Sequence, residues 1–319
     1  MGAFRRIFCC ILNLSILLAS GVSAAGGFAD LDYFSFDERE RTYLLRIPQS
    51  YTSTTSLPLV VVLHGGGGNA VRMEEMTGFS ELAERENFIV VYPNGTGRLP
   101  RRFLTWNSGY IELYASEHDV DDIGFIVALL ERLQELYSID PDMIFVTGIS
   151  NGAMMAYRLA AEHPDVFAAA GAVAGSIGGQ SDQYADPWVI PGPGSPVSLI
   201  IFHGMLDSHV LYHGGETQTA VRAQQGRIDM SVEEAVEHFV DANWCMPVPS
   251  ITTSDYGAIV TETWTGGDDG TEVVLYTIMD AGHSWPGGHM WLPGDLPTDE
   301  ISATELIWDF FQSHPGPPW

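Results

Sequence analysis

The pentapeptide Gly148-Ile149-Ser150-Asn151-Gly152 sets a serine between two glycines. It lies directly after the apolar, β-prone run 143–147 and directly before a helix-prone stretch, 153–161. Where a strand turns sharply into a helix, side chains two residues before and after the corner collide, so glycine fits both places. The same turn pushes the central hydroxyl out above the sheet edge. A hydroxyl there attacks a carbonyl once a base takes its proton, giving a covalent acyl intermediate. Ser150 is the expected nucleophile; a Gly/Ser-rich turn is the plainer alternative.

A nucleophilic serine needs a base, an acid to orient that base, and donors for the oxyanion that forms on the attacked carbonyl. Ten histidines are present. Of these, His283 alone combines a glycine-rich loop following a strand-like run (272–279) with a place after both serine and acid. The acid is expected to be Asp207, just past the strand-like run 197–202, with Asp280 as its rival because it too follows a strand. The order Ser150, Asp207, His283 is that of α/β hydrolases. For the oxyanion, His64-Gly65-Gly66-Gly67-Gly68-Asn69 follows the apolar run 58–63. Glycines let main-chain N–H groups approach a substrate oxygen, so Gly65 and Gly66 are expected to supply one donor and the N–H of Asn151 the other. No Gly-Lys-Ser/Thr completes a phosphate loop, and the chain has no lysine. His203, His209 and His213 match no zinc spacing. No metal and no cofactor are expected.

These groups need a scaffold that gathers distant loops at one sheet edge, and the chain alternates accordingly. Runs 33–36 and 42–47 read as an opening antiparallel pair. Strand-like runs follow at 58–63, 87–92, 143–147, 166–173, 197–202 and 272–279. A helix is expected from the acids at 119–122 to about 137, with apolar residues at helical spacing (Ile123, Ile126, Leu129, Leu130, Leu133). Another starts at the capping box Ser231-Val232-Glu233-Glu234, and a closing helix covers 301–313. Residues 178–196, rich in Gly, Pro, Asp and Ser, read as a loop. The alternation predicts the α/β class, with a mostly parallel central sheet and helices on both faces.

Composition narrows the setting. With 319 residues, 45% of them hydrophobic, the chain is long enough to bury a large core. Arg5 and Arg6, an apolar run over 7–18 and small residues over 19–25 have the three parts of a secretory signal peptide, cleaved after Ala24. That leaves 25–319 as one catalytic domain, secreted or periplasmic, with no stable membrane insertion after signal removal. The net charge of −27 disfavours nucleic acid and anionic membranes as partners. Of three cysteines only Cys245 lies beyond the signal, and it is expected to be a buried small hydrophobe.

Several stretches resemble secreted α/β-hydrolase esterases of the polyhydroxybutyrate depolymerase-like and feruloyl esterase-like groups. They are 63–68 (Leu-His-Gly-Gly-Gly-Gly), 92–95 (Tyr-Pro-Asn-Gly), Trp106-Asn107, 120–125, 148–154, 203–207 and 283–288. The resemblance implies the same triad, Ser150, Asp207 and His283. It implies a small-molecule or oligomeric ester as substrate. Feruloyl-type chemistry would want aromatic walls, so Trp106 and Trp285, with His64 in the glycine loop, are candidates to line the substrate site, a structural role for the tryptophans being the alternative. Members of the group often carry a cysteine after Trp-Asn that bridges to one near position 245; here Ser108 follows, and that bridge is absent. A serine peptidase on the same fold and a catalytically silent binding protein are the alternatives to a serine esterase.

Overall fold

The computed structural model describes residues 30–217, 226–254, 256–290 and 295–316. The expected signal segment lies outside them. Among the described residues, no helix is long and apolar enough to cross a membrane.

The chain opens with the antiparallel pair β1 (Asp32–Phe36) and β2 (Arg39–Arg46). It continues through β3 (Leu57–Leu63), α1 (Ala70–Thr77), α2 (Phe79–Glu86) and β4 (Ile89–Pro93). A short α3 (Tyr114–Glu117) and a long α4 (Asp122–Leu136) lead into β5 (Ile139–Ile149), α5 (Asn151–Glu162) and β6 (Ala169–Val173). Next come β7 (Gly178–Gln180), β8 (Trp188–Val189), β9 (Ser198–Gly204), β10 (Gly215–Glu216) and β11 (Ile228–Asp229). The remainder is α6 (Val232–Ala242), β12 (Ser250–Thr253), β13 (Ile259–Trp264), β14 (Val273–Ile278) and α7 (Ala303–Ser313).

Among the described residues ten strands form one sheet in the order β1-β2-β4-β3-β5-β6-β9-β14-β13-β12. The run from β4 to β14 is parallel, with antiparallel strands at both margins. Side chains alternate across a strand, and on β3 Leu59, Val61 and Leu63 join one core while Val60 and Val62 join the other. Both faces are covered, which is why the central strands read as continuous apolar runs. The first core takes Phe125, Ile126 and Leu129 from α4 and Phe239 from α6. The second takes Met73, Phe79 and Leu82 from α1 and α2, with Ile307, Trp308 and Phe311 from α7.

The expected loop at 178–196 contains two short strands. β7 and β8 join β10 and β11 in a separate four-stranded sheet, order β10-β11-β7-β8. Gly178 and Gly179 serve close backbone approach rather than a turn: a Cβ on Gly179 would lie 2.0 Å from the Ile228 carbonyl oxygen.

Candidate active site

β5, β6, β9 and β14 are neighbouring parallel strands, so their carboxyl ends share one sheet edge. Ser150 follows β5, Asp207 lies three residues beyond β9, and His283 five residues beyond β14. Loops at that edge are where open α/β sheets bind ligands.

Ser150 sits at φ 57°, ψ −124°, a conformation that L residues rarely adopt. Its N–H donates to the Val173 carbonyl (2.9 Å) and its carbonyl accepts from Met154 N–H (2.9 Å), so the corner is fixed on both sides. The flanking glycines are required by contact. A Cβ on Gly148 would lie 2.6 Å from the backbone of Gly152, and one on Gly152 would lie 2.4 Å from the Leu63 carbonyl oxygen. Ser150 begins α5 without a side-chain cap, leaving its hydroxyl uncommitted.

The glycine loop lies against this corner. A Cβ on Gly65 would be 3.4 Å from Ser150 Cβ, and one on Gly66 would be 3.6 Å from Asn151 Cβ. Asn151 is the first residue of α5, where N–H groups have no partner within the helix. Its buried carboxamide accepts from Trp106 N–H (2.8 Å) and donates to Ser108 Oγ (2.9 Å), which ties the corner to the Trp106-Asn107 segment.

His283 donates from Nδ1 to Asp207 Oδ2 at 2.7 Å, and both side chains are buried. Asp207 Oδ1 accepts from the N–H groups of His209 (2.8 Å) and Val210 (3.0 Å). His203 Nε2 donates to the Val210 carbonyl (2.8 Å) and lies 3.4 Å from Asp207 Oδ2. Burial by itself would raise the Asp207 pKa. The His283 charge and the hydrogen bonds from His203 and His283 more than offset that, and hold the carboxyl well below the usual carboxylate range. Asp280, the rival acid, is exposed. Among the described residues, neither the Ser150 hydroxyl nor His283 Nε2 has a hydrogen-bond partner.

Two neighbours complete the surroundings: Asp295, which sequence did not single out, and His209, one of the three histidines near Asp207 that match no zinc spacing. Asp295 Oδ1 accepts from His283 N–H (3.3 Å), and its other oxygen is 3.6 Å from His209 Nε2. The ring of His209 lies tilted, 5.1 Å from that of His283. Burial, then the His283 charge, lowers the His209 pKa. Proximity to the glycine-rich stretch after β14 was the only sequence signal for Asp295. His213 is turned outward to Glu233 (3.0 Å), so the three clustered histidines do different things.

The expected substrate walls are corrected by burial. Trp106, Trp285 and His64 have no exposed surface. Trp106 Nε1 donates to the His64 carbonyl (2.8 Å), and Trp285 Nε1 donates to Thr304 Oγ1 (2.9 Å). His64 accepts the Gly95 N–H at Nε2 (3.0 Å) and pairs through Nδ1 with the Gly65 carbonyl (2.8 Å). All three brace the loops from beneath. Cys245 is buried and is the one free cysteine among the described residues, as expected of a small hydrophobe.

The esterase PHB depolymerase family model matches residues 41–187, a span holding the glycine loop, the Trp106-Asn107 segment and the Ser150 corner. Over that span, just under half of its length, the chain is similar to esterases of the PHB depolymerase family. A provisionally named esterase of Nocardia uniformis subsp. tsuyamanensis is 29% identical over 265 residues, 78% of this chain and 72% of that one. Feruloyl esterase C of Emericella nidulans is 24% identical over 279 residues, 86% of this chain and 84% of its own length. Among solved structures, the acetyl xylan esterase from Aspergillus awamori superposes with a TM-score of 0.56 at 17% identity, covering 85% of this chain and 94% of that one. At that identity the superposition speaks for the α/β-hydrolase fold.

Proposed function

We propose that this chain is a secreted serine esterase that hydrolyses carboxylic esters through an acyl-enzyme, with Ser150, Asp207 and His283 as its triad and 25–319 as its single catalytic domain. The observation that carries the reading is the buried His283–Asp207 hydrogen bond of 2.7 Å, at the sheet edge where Ser150 holds its strained corner.

His283 Nδ1–H is committed to Asp207, so the neutral ring keeps its lone pair at Nε2, the atom that takes the Ser150 proton. Catalytic hydrogen bonds are often loose before substrate binds, and the two free groups, Ser150 Oγ and His283 Nε2, close on each other around the ester. Ser150 Oγ attacks the carbonyl carbon. The oxyanion takes hydrogen bonds from the N–H groups of Asn151 and the Gly65-Gly66 segment, which the packing sets beside Ser150. His283 returns its proton to the departing alcohol. Water, deprotonated by the same ring, then releases the acid and frees Ser150. Asp207 holds the tautomer and stabilises the imidazolium.

Hydroxyalkanoate oligomers, feruloyl or acetyl esters of polysaccharides and short-chain esters are the substrate classes that fit the kinship. A fluorophosphonate probe should label the protein at Ser150. Ser150→Ala should lose both labelling and turnover of p-nitrophenyl acetate, by about 10⁶-fold for turnover. Full turnover in the pure Ser150→Ala protein would end the proposal.

A further inference from the structure

The molecule carries 41 acidic against 14 basic residues, all of the latter arginines. Such an excess should leave few arginines without a carboxylate. Six of the described arginines do pair with acids: Arg41, Arg46, Arg85, Arg132, Arg158 and Arg227. Arg39, Arg72, Arg98, Arg101 and Arg102 form no ion pair or side-chain hydrogen bond among the described residues. Four of these five are gathered in one place: three in the six-residue turn 98–103, and Arg72 in the first turn of α1.

That turn is stitched to the glycine loop. Gly67 N–H donates to the Leu104 carbonyl (2.8 Å), Leu104 N–H donates to the Gly68 carbonyl (3.3 Å), and Asn69 Nδ2 reaches the Arg101 carbonyl (3.4 Å). Between them lies a cavity of about 390 Å³ lined by Gly67, Asn69, Arg72, Arg102 and Phe103, with Glu75 as the one carboxylate on its wall. Gly67 is two residues from Gly65, whose Cβ position is 3.4 Å from Ser150 Cβ. Two residues of backbone span at most about 7 Å. Gly67, on the cavity wall, therefore lies within about 7 Å of Gly65, one of the proposed oxyanion donors.

We propose that this cavity is a subsite for a carboxylate carried on the ester substrate, with Arg72 and Arg102 as its specificity-determining residues. Their guanidinium groups are free to take both carboxylate oxygens. Arg98 and Arg101 raise the local positive potential in an otherwise acidic surface and draw the anion in. Phe103, 69% exposed, offers an apolar face for the carbon chain between carboxylate and ester. The substrate class so defined is an ester with a free carboxylate a few atoms from the scissile bond. Two sources supply it: a short hydroxy-acid oligomer with its terminal acid free, and an esterified oligosaccharide bearing a uronic acid. The role as a substrate subsite rests on the esterase reading; the binding itself does not.

Calorimetry with full-length Ser150→Ala protein separates the two questions, because no turnover is needed. Two ligand pairs serve: 3-hydroxybutyrate trimer against its methyl ester, and an acetylated xylo-oligosaccharide bearing glucuronic acid against the one lacking it. In at least one pair the carboxylate form should bind about fivefold tighter at low salt. The preference should fall below about twofold on adding Arg72→Gln and Arg102→Gln together, and in about 0.5 M salt. Arg39→Gln, on β2, should leave it intact. The pair that shows the preference identifies the source. Equal binding within both pairs, or a preference that survives the double substitution, would overturn the subsite. Failure of fluorophosphonate labelling would instead remove the serine mechanism and leave the binding result standing.

Discussion

The Nδ1 of His283 and the Oδ2 of Asp207 lie 2.7 Å apart with their side chains 4% and 0% exposed, so this hydrogen bond forms away from competing water. A carboxamide in place of the carboxylate would keep the shape and lose the preference for Nδ1–H. Asp207→Asn is expected to lower kcat on p-nitrophenyl butyrate about 10⁴-fold with little change in the far-ultraviolet circular dichroism. Asp280→Asn, at an exposed position, should leave kcat near that of the parent. The reverse ranking of the two variants would move the orienting acid to Asp280.

Gly152, two residues after Ser150 in the chain, and Gly65, packed against it from the glycine loop, have different room. A Cβ on Gly152 would press on the Leu63 and His64 carbonyl oxygens at 2.4 and 2.6 Å; on Gly65 it would meet Ser150 Cβ at 3.4 Å, an ordinary contact. Gly152→Ala should therefore destabilise the fold by about 3 kcal/mol in urea titration. Gly65→Ala should fold normally and lose about 10–100-fold in kcat, because a methyl displaces the reacting carbonyl from its donors. Wild-type kcat in Gly65→Ala would argue that the ester does not sit between this loop and Ser150.

The chain order of the proposed triad, the glycine run and the strand alternation were legible because each is a local pattern with one strong physical cause. The His283–Asp207 pairing was legible only as a choice between two post-strand acids; in the structure Asp207 is buried and bonded to His283, while Asp280 is exposed. Residues 70–86 form two helices of eight residues broken at Gly78, which takes φ 68°, and each is shorter than the window over which helical periodicity shows. β12 is exposed along its whole length and lacks the alternation that marks a half-buried strand. Trp106, Trp285 and His64 were misplaced because a motif position near a site does not reveal whether a side chain faces the ligand or braces the loop from below.

Asp122 shows the same limit and yields a prediction of its own. From sequence the acids at 119–122 only mark the start of a helix. In the structure Asp121 is the N-cap, accepting from Gly124 N–H (2.8 Å), while Asp122 is buried against Arg41 (2.6 Å) and accepts from Asn107 N–H (2.8 Å). Burial raises the Asp122 pKa and lowers that of Arg41, each only partly offset by the partner. Removing one member strands the other. Arg41→Met should cost about 3–5 kcal/mol in denaturant unfolding, and Arg41→Met with Asp122→Leu should recover part of that loss. Esterase activity should stay low in the double variant, because Asn107 loses its acceptor and the adjoining Trp106 N–H holds Asn151. Full activity there would show that the pair serves stability alone.

His64 gives the fold an acid-sensitive point apart from the proposed triad. The Gly95 N–H donates to its Nε2, so a proton there would set two donors face to face. Burial, only partly opposed by the hydrogen bond to the Gly65 carbonyl, pushes its pKa down to about 4. An unfolded histidine titrates near 6.5. Between these values the unfolded chain holds a proton that the folded chain does not, so stability rises with pH across that window. The His64 contribution is complete above about pH 6.5. It falls by about 1.4 kcal/mol per unit toward pH 4, a loss of about 3 kcal/mol. Asp207 acts in a lower window: its depressed pKa stabilises the fold above about pH 4, and that contribution disappears only as pH falls further. His64→Gln keeps a donor and an acceptor but cannot titrate. The difference in unfolding free energy between parent and variant should shrink steadily from pH 6.5 to 4. A difference that stays constant over that range would mean that His64 is protonated as readily in the folded chain as in the unfolded one.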